Sequence, residues 1–172
     1  MRMTQRFLTW FFAALAVFAI AGLSLLLFAV PADWTLKDLN GGRFTLSENL
    51  GRGPTLILFW ATWCRPCKQE LKEYKSIFET YQEKGVQVLA ISEDNSKTQS
   101  QIKPFIQSNG YNFTVLLDPT GEVLKSYGGE SIPFTIVLDS VGAVQKTYRG
   151  KIQKIDDLSK LLEKLLVESA GE

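Results

Sequence analysis

The chain has 172 residues, of which 45% are hydrophobic and 22% charged, and its 19 basic and 18 acidic side chains leave a net charge of +1. That is the length of one domain plus an appendage, with enough apolar residues for a core, no disordered or disulfide-scaffold bias, and no basic excess to bind nucleic acid. Histidine is absent, which excludes His general-base catalysis, Ser-His-Asp and Cys-His nucleophile systems, His-containing zinc sites and c-type haem attachment.

Residues 7–30 carry no charge, and Thr9 and Ser24 are their only polar side chains. As a helix the stretch would extend about 36 Å, enough to cross a hydrocarbon layer of about 30 Å. Arg2 and Arg6 precede it, while Asp33, Lys37, Asp38 and Arg43 follow with mixed sign. The positive-inside rule then puts the N-terminus in the cytoplasm. A cleaved signal peptide ending near Val30-Pro31-Ala32 is the competing reading, but its apolar core usually runs only about 7–15 residues. Both readings export the remainder. Residues 1–31 are therefore read as a cytoplasmic N-terminus with a single-pass membrane anchor, and residues 32–172 as an extracytoplasmic domain, periplasmic or on the outer surface. Setting Arg2 and Arg6 aside leaves 17 basic and 18 acidic residues, so nothing beyond the anchor is designed to grip anionic lipid.

Trp34-Thr35-Leu36 and Arg43-Phe44-Thr45-Leu46 flank Asn40-Gly41-Gly42 and predict a small β-hairpin. Residues 55–60 (Thr-Leu-Ile-Leu-Phe-Trp) are continuously apolar, as in a central strand covered on both faces. Over residues 67–84, Leu71, Tyr74, Phe78 and Tyr81 recur at intervals of three and four before Gly85, which predicts one amphipathic helix. Residues 86–92 read as the next buried strand, and residues 97–108 as a helix that Pro104 should kink or divide. A strand is expected over 113–117, a short helix over 121–127, and a strand pair over 134–138 and 143–149 joined by Asp139-Ser140-Val141-Gly142. The closing helix lines up Ile155, Leu158, Leu161, Leu162, Leu165 and Leu166 on one face. Alternating strands and helices with a terminal hairpin and helix imply one α/β domain, a central mixed β-sheet flanked by helices on both faces.

Cys64 and Cys67 are the only cysteines, in Trp63-Cys64-Arg65-Pro66-Cys67. Such a pair serves disulfide exchange, half a zinc site, or nothing. Four-ligand zinc needs two further Cys or His, so no metal is expected. A structural bridge across so short a loop constrains the unfolded chain little. The pair lies where a buried strand turns into a helix, and unpaired N–H groups at a helix start stabilise a thiolate, which favours a catalytic role. Glu70 follows Cys67 by three residues on the same helix face. It is either partly buried, with a raised pKa that lets it relay the proton Cys67 must lose, or a solvated first-turn acid. Arg65 either favours the Cys64 thiolate, making the couple more oxidising, or points into solvent. Trp60 and Trp63 are read as packing around the site, Trp63 also as an apolar contact surface for partners.

The run Phe59-Trp60-Ala61-Thr62-Trp63-Cys64-Arg65-Pro66-Cys67-Lys68, together with the leading hairpin, the segment over residues 93–111, Leu116-Leu117-Asp118-Pro119 and Ile132-Pro133, resembles the thioredoxin superfamily in its membrane-anchored, TlpA/ResA-like branch. The resemblance implies a thioredoxin-like fold and a redox-active disulfide between Cys64, the attacking thiol, and Cys67, the resolving one. It also implies a cis Ile132–Pro133 peptide facing that disulfide. Expected catalytic residues are Cys64, Cys67, Glu70 and Pro133, and expected substrate-binding residues are Trp63, Arg65, Pro66 and Ile132. The implied activity is cofactor-free reduction of protein disulfides outside the cytoplasm, often in cytochrome c maturation, with recharging by a membrane thiol-disulfide electron transporter. Two departures stand out. Leu58 occupies the position of a buried Asp in cytoplasmic thioredoxins, which leaves Glu70 as the nearby proton relay, and Phe134 stands where a small Thr is common, which bears on the shape of the target groove. The competing readings are a thiol oxidant or isomerase, supported by Arg65, and a non-enzymatic Cu(I) carrier using the two soft thiolates.

Overall fold

A computed structural model describes residues 33–171. The anchor expected over residues 7–30, and with it the division at residue 31, lies outside the described residues. Among the described residues no helix is long and apolar enough to cross a membrane.

The leading hairpin forms as β1 (Thr35–Asp38) and β2 (Arg43–Thr45). The Asp38 carboxylate accepts the Asn40 and Gly42 amides and closes the turn, in which Gly41 takes φ 85°. The apolar runs become β3 (Thr55–Trp60), β4 (Gln87–Ser92), β5 (Thr114–Leu117) and β6 (Phe134–Leu138), and β7 (Val144–Arg149) follows as a mostly exposed edge strand. Seven strands form one sheet in the order β2-β1-β5-β4-β3-β6-β7. β3, β4 and β5 are parallel, while β1, β6 and β7 join antiparallel. The mixed sheet read from the sequence is therefore present.

Alternation along β3 sorts the core onto two faces. Leu56, Leu58 and Trp60 face one side, covered by α1 (Arg65–Glu73), α2 (Lys75–Glu83), α3 (Ile102–Asn109) and α5 (Ile155–Ala170) through Leu71, Phe78, Ile102, Ile106, Leu158 and Leu162. Ile57 and Phe59 face the other, against α4 (Glu122–Ser126), Trp34 and Leu46. Helices thus cover both faces, unequally.

Two expectations need correction. The single helix expected over residues 67–84 is two, α1 and α2, parted at Tyr74, which leaves helical geometry at φ −100° and ψ 4°. The Tyr74 hydroxyl donates to the Ile152 carbonyl at 2.6 Å, so a contact 78 residues away fixes a break that local spacing cannot show. Pro104 neither kinks nor divides its helix. A short 3-10 turn, Gln99–Gln101, precedes α3, so Pro104 falls in the first turn, where its missing N–H has no partner to lose.

Candidate active site

The parallel strands end together. Trp60, Ser92 and Leu117 are in register, and the Trp60 and Ser92 carbonyls accept the Glu93 and Asp118 amides at 2.8 and 2.9 Å. Loops leaving the carboxyl ends of such strands gather into one crevice. Here they bring together the cysteine loop, Glu93 with Asp94, and Asp118.

Cys64 is the N-cap of α1, with extended backbone, and its Sγ accepts the Cys67 amide at 3.2 Å. Cys64 and Cys67 are joined as a disulfide with their Cα atoms 5.3 Å apart. Cys64 is 5% exposed and Cys67 1%, so Cys64 is the less buried of the two. Helix-start N–H groups and their partial positive charge bear on that sulfur once it is reduced. Pro66 sits in the first helical turn, where proline is tolerated.

Glu70 lies one turn after Cys67 on the buried face of α1 and is only 2% exposed. Its Oε1 accepts the Ile152 amide at 3.2 Å. Burial pushes its pKa up to about 7, with the Ile152 hydrogen bond and the Lys151 charge opposing and Glu73 adding. The solvated alternative therefore does not hold. The segment supplying that amide is strapped to α1 twice more, by Tyr74 on Ile152 and by Lys151 on Glu73 at 2.7 Å.

Ile132–Pro133 is a cis peptide, with Pro133 buried and Ile132 half-buried. Trp63 is 59% exposed beside Cys64, whereas Trp60 is buried. Arg65 and Pro66 are exposed, and among the described residues Arg65 makes no ion pair, in line with its solvent-facing reading. Phe134 turns to the sheet face opposite α1, where it packs on Phe59 at 5.9 Å between ring centroids. Leu58 is buried among apolar neighbours on the α1 face.

Sequence reasoning missed Asp94. It is fully buried, and its carboxylate accepts the Thr62 amide (2.8 Å), the Thr62 hydroxyl (2.6 Å) and the Ser92 hydroxyl (2.8 Å). This brace holds the loop two residues before Cys64. Its only signal is an acid just past the end of a buried parallel strand. Asp94→Ala strands three buried donors and is expected to cost about 3 kcal/mol of stability, read from urea unfolding of the oxidised protein. A loss below about 1 kcal/mol would mean that solvent replaces the carboxylate.

Comparison with known proteins agrees with this arrangement. Residues 28–147 match the AhpC/TSA family. The chain belongs to the AhpC/TSA family. Within this thioredoxin-like family, the AhpC/TSA chain is 32% identical over 133 residues to a thiol-disulfide oxidoreductase ResA of Geobacillus thermodenitrificans, covering 77% of this chain and 74% of the relative. It is 33% identical over 101 residues to the ResA of Bacillus thuringiensis subsp. konkukian, a match that covers 59% of this chain and spans 57% of that relative's length. The crystal structure of StoA from Bacillus subtilis superimposes with a TM-score of 0.62 at 29% identity, covering 77% of this chain and 97% of StoA. The thioredoxin-like fold expected from the sequence is thus the fold of this AhpC/TSA protein.

Proposed function

We propose that the protein is a membrane-anchored thiol-disulfide oxidoreductase that reduces disulfides of exported proteins, those of cytochrome c maturation among them. The observation that carries this reading is a disulfide capping the start of α1 with a buried Glu70 one turn beyond it. The Cys64 thiolate attacks one sulfur of a target disulfide, forming a Cys64–target bond and releasing the other target sulfur as a thiolate, which takes a proton from water. Cys67 then gives its proton to the ionised Glu70 and attacks the Cys64 sulfur. The second target sulfur leaves as a thiolate and takes that proton back from Glu70, and the Cys64–Cys67 disulfide closes. Two electrons and two protons have passed to the target, and no cofactor takes part.

A pKa near 7 suits Glu70 to this task, since it accepts and returns a proton near neutral pH. Trp63, Arg65, Pro66 and Ile132 are exposed or half-buried around the pair and offer the contact surface for the target chain. Among the described residues the Ile132 backbone makes no hydrogen bond, and Pro133 beside it has no N–H to compete. The uncharged residues 7–30 behind Arg2 and Arg6 support an anchored, extracytoplasmic placement. A dithiol donor in the membrane then restores the reduced pair.

Equilibrating the full-length protein with graded thiol-disulfide buffers and alkylating the free thiols tests the direction of transfer. A potential at or below about −250 mV is expected for a reductant, and one of about −120 to −180 mV would make the protein an oxidant or isomerase instead.

A further inference from the structure

A cavity of about 730 Å³ opens beside the cysteine loop and involves neither cysteine nor Glu70. Its floor is built by α4. The buried Asp118 carboxylate accepts the amides of Glu122, Val123 and Leu124 at 3.1, 2.9 and 3.2 Å, which caps that helix with an anion. After α4 the chain folds back at once. The Gly128 amide donates to Lys125 and the Gly129 amide to Leu124, Gly128 takes φ 71°, and any Cβ on Gly129 would collide with the Leu124 side chain. The returning segment runs along α4 into Ile132 and the cis proline. Trp63, Ile132, Leu124, Glu93, Lys125 and Glu130 face the space left between.

Glu93 is the unexplained member. It is the first residue after β4, and its Oε1 is cut off from solvent without a hydrogen-bond partner among the described residues. The charged groups facing it are Asp118 from the end of β5 and Lys125 from α4, with Glu130 on the same cavity. We propose that this cavity is a specificity pocket for the target side chain next to the attacked cysteine, and that Glu93 selects an arginine or lysine there. The inference rests on the disulfide-exchange reading above.

Three observations support that occupant. Trp63, the residue directly before Cys64, and Ile132, the residue directly before the cis Pro133, both line the cavity, so its wall begins next to the cysteine pair. The apolar wall of Trp63, Leu124 and Ile132 suits a methylene stem, and an exposed indole is a favourable neighbour for a guanidinium. The Glu93 carboxyl shares a hydrogen bond with Asp118, and once Glu93 is ionised it, Glu130 and Asp118 outnumber Lys125, so a donor of positive charge complements the site. Burial and Asp118 push the Glu93 pKa up to about 8, against the opposing Lys125 charge. A bound cation therefore expels a proton, and selection of a cation strengthens as pH rises through that value.

The test uses the reduced full-length protein and disulfide-linked homodimers of one short peptide, with Arg, Lys, norleucine or Glu beside the cysteine, on either side in separate peptides. The rate of protein oxidation is followed by chromatography. At pH 8 the Arg and Lys dimers are expected to react about 10-fold faster than the norleucine dimer, and the Glu dimer slowest. Glu93→Gln, nearly isosteric, should bring the Arg-to-norleucine ratio within about 2-fold, whereas Lys125→Ala, at an exposed position, should raise it. The wild-type ratio should fall toward pH 6. A ratio near one in the parent, or a ratio that Glu93→Gln leaves intact, overturns the pocket while leaving disulfide exchange standing. Failure of every dimer to react overturns both.

Discussion

Replacing Cys67 by alanine will turn the protein from a catalyst into a trap. The first exchange needs only the Cys64 thiolate, which the start of α1 stabilises, and that helix start remains in the variant. The second exchange needs a sulfur held against Cys64, and Cys67 alone supplies one: its Cα is 5.3 Å away, and the sequence has no third cysteine. Turnover should therefore fall by at least about 10³-fold, while mixed disulfides with target proteins accumulate, visible as adducts that disappear on reduction before electrophoresis. Cys64→Ala should lose the same turnover and form no adducts, because the remaining cysteine, Cys67, is 1% exposed and lies inside the first turn of α1. Equal trapping by both variants would reverse the assigned order of attack. Absence of adducts from Cys67→Ala, with an active parent, would remove dithiol exchange as the mechanism.

The second large effect belongs to Glu70→Gln. Glutamine retains the shape and can accept the Ile152 amide, so the strap over α1 is kept, but it cannot take the proton from Cys67. The closing step should slow on the order of 10²-fold at pH 7, and the rate limb that the parent shows near that pH should disappear. Stability should move in the opposite sense. The folded pKa of about 7 lies above the ordinary glutamate value of 4.5, so between these limits the native state holds a proton that the unfolded chain has released. The associated stabilisation is complete below about pH 4.5 and is lost as pH rises to about 7, up to on the order of 3 kcal/mol. Oxidised Glu70→Gln should lack that loss. Glu93, raised to about 8, adds a loss in an overlapping window, so the comparison is the difference between variant and parent across pH 4–9. Parallel curves would show that Glu70 is solvated when the protein is folded.

What was legible in the sequence was local. The cysteine pair, its place at a helix start and the position of Glu70 one turn on all lie within seven residues, and helical spacing alone puts Cys67 and Glu70 on one face. The two hairpins were legible from Asn40-Gly41-Gly42 and Asp139 to Gly142 because turn geometry dictates residue type. The environment of those groups was not. Whether Glu70 is dry depends on Ile152, whose amide arrives from 82 residues away. The break at Tyr74 has the same origin, and the brace of Asp94 on Thr62 spans 32 residues. Nothing in the sequence around Glu93 signals its burial, because its neighbours Lys125 of α4 and Asp118 come from other segments. The Pro104 expectation failed by a shift of boundary, since five residues placed inside the helix belong to a turn and its approach.

The place of β3 in the sheet has a consequence for how the site opens. β3 is hydrogen-bonded along its length to β4 on one side and β6 on the other and is buried throughout, whereas β6 has the exposed edge strand β7 as its outer neighbour. Amides of β3 therefore exchange with solvent only when the whole domain unfolds, while those of β7 exchange through local fraying. Cys64 follows the strand enclosed on both sides, and Pro133 precedes a strand one step from an edge of the sheet. Opening at this edge would therefore shift the segment of Pro133 while the start of α1 keeps its place on β3.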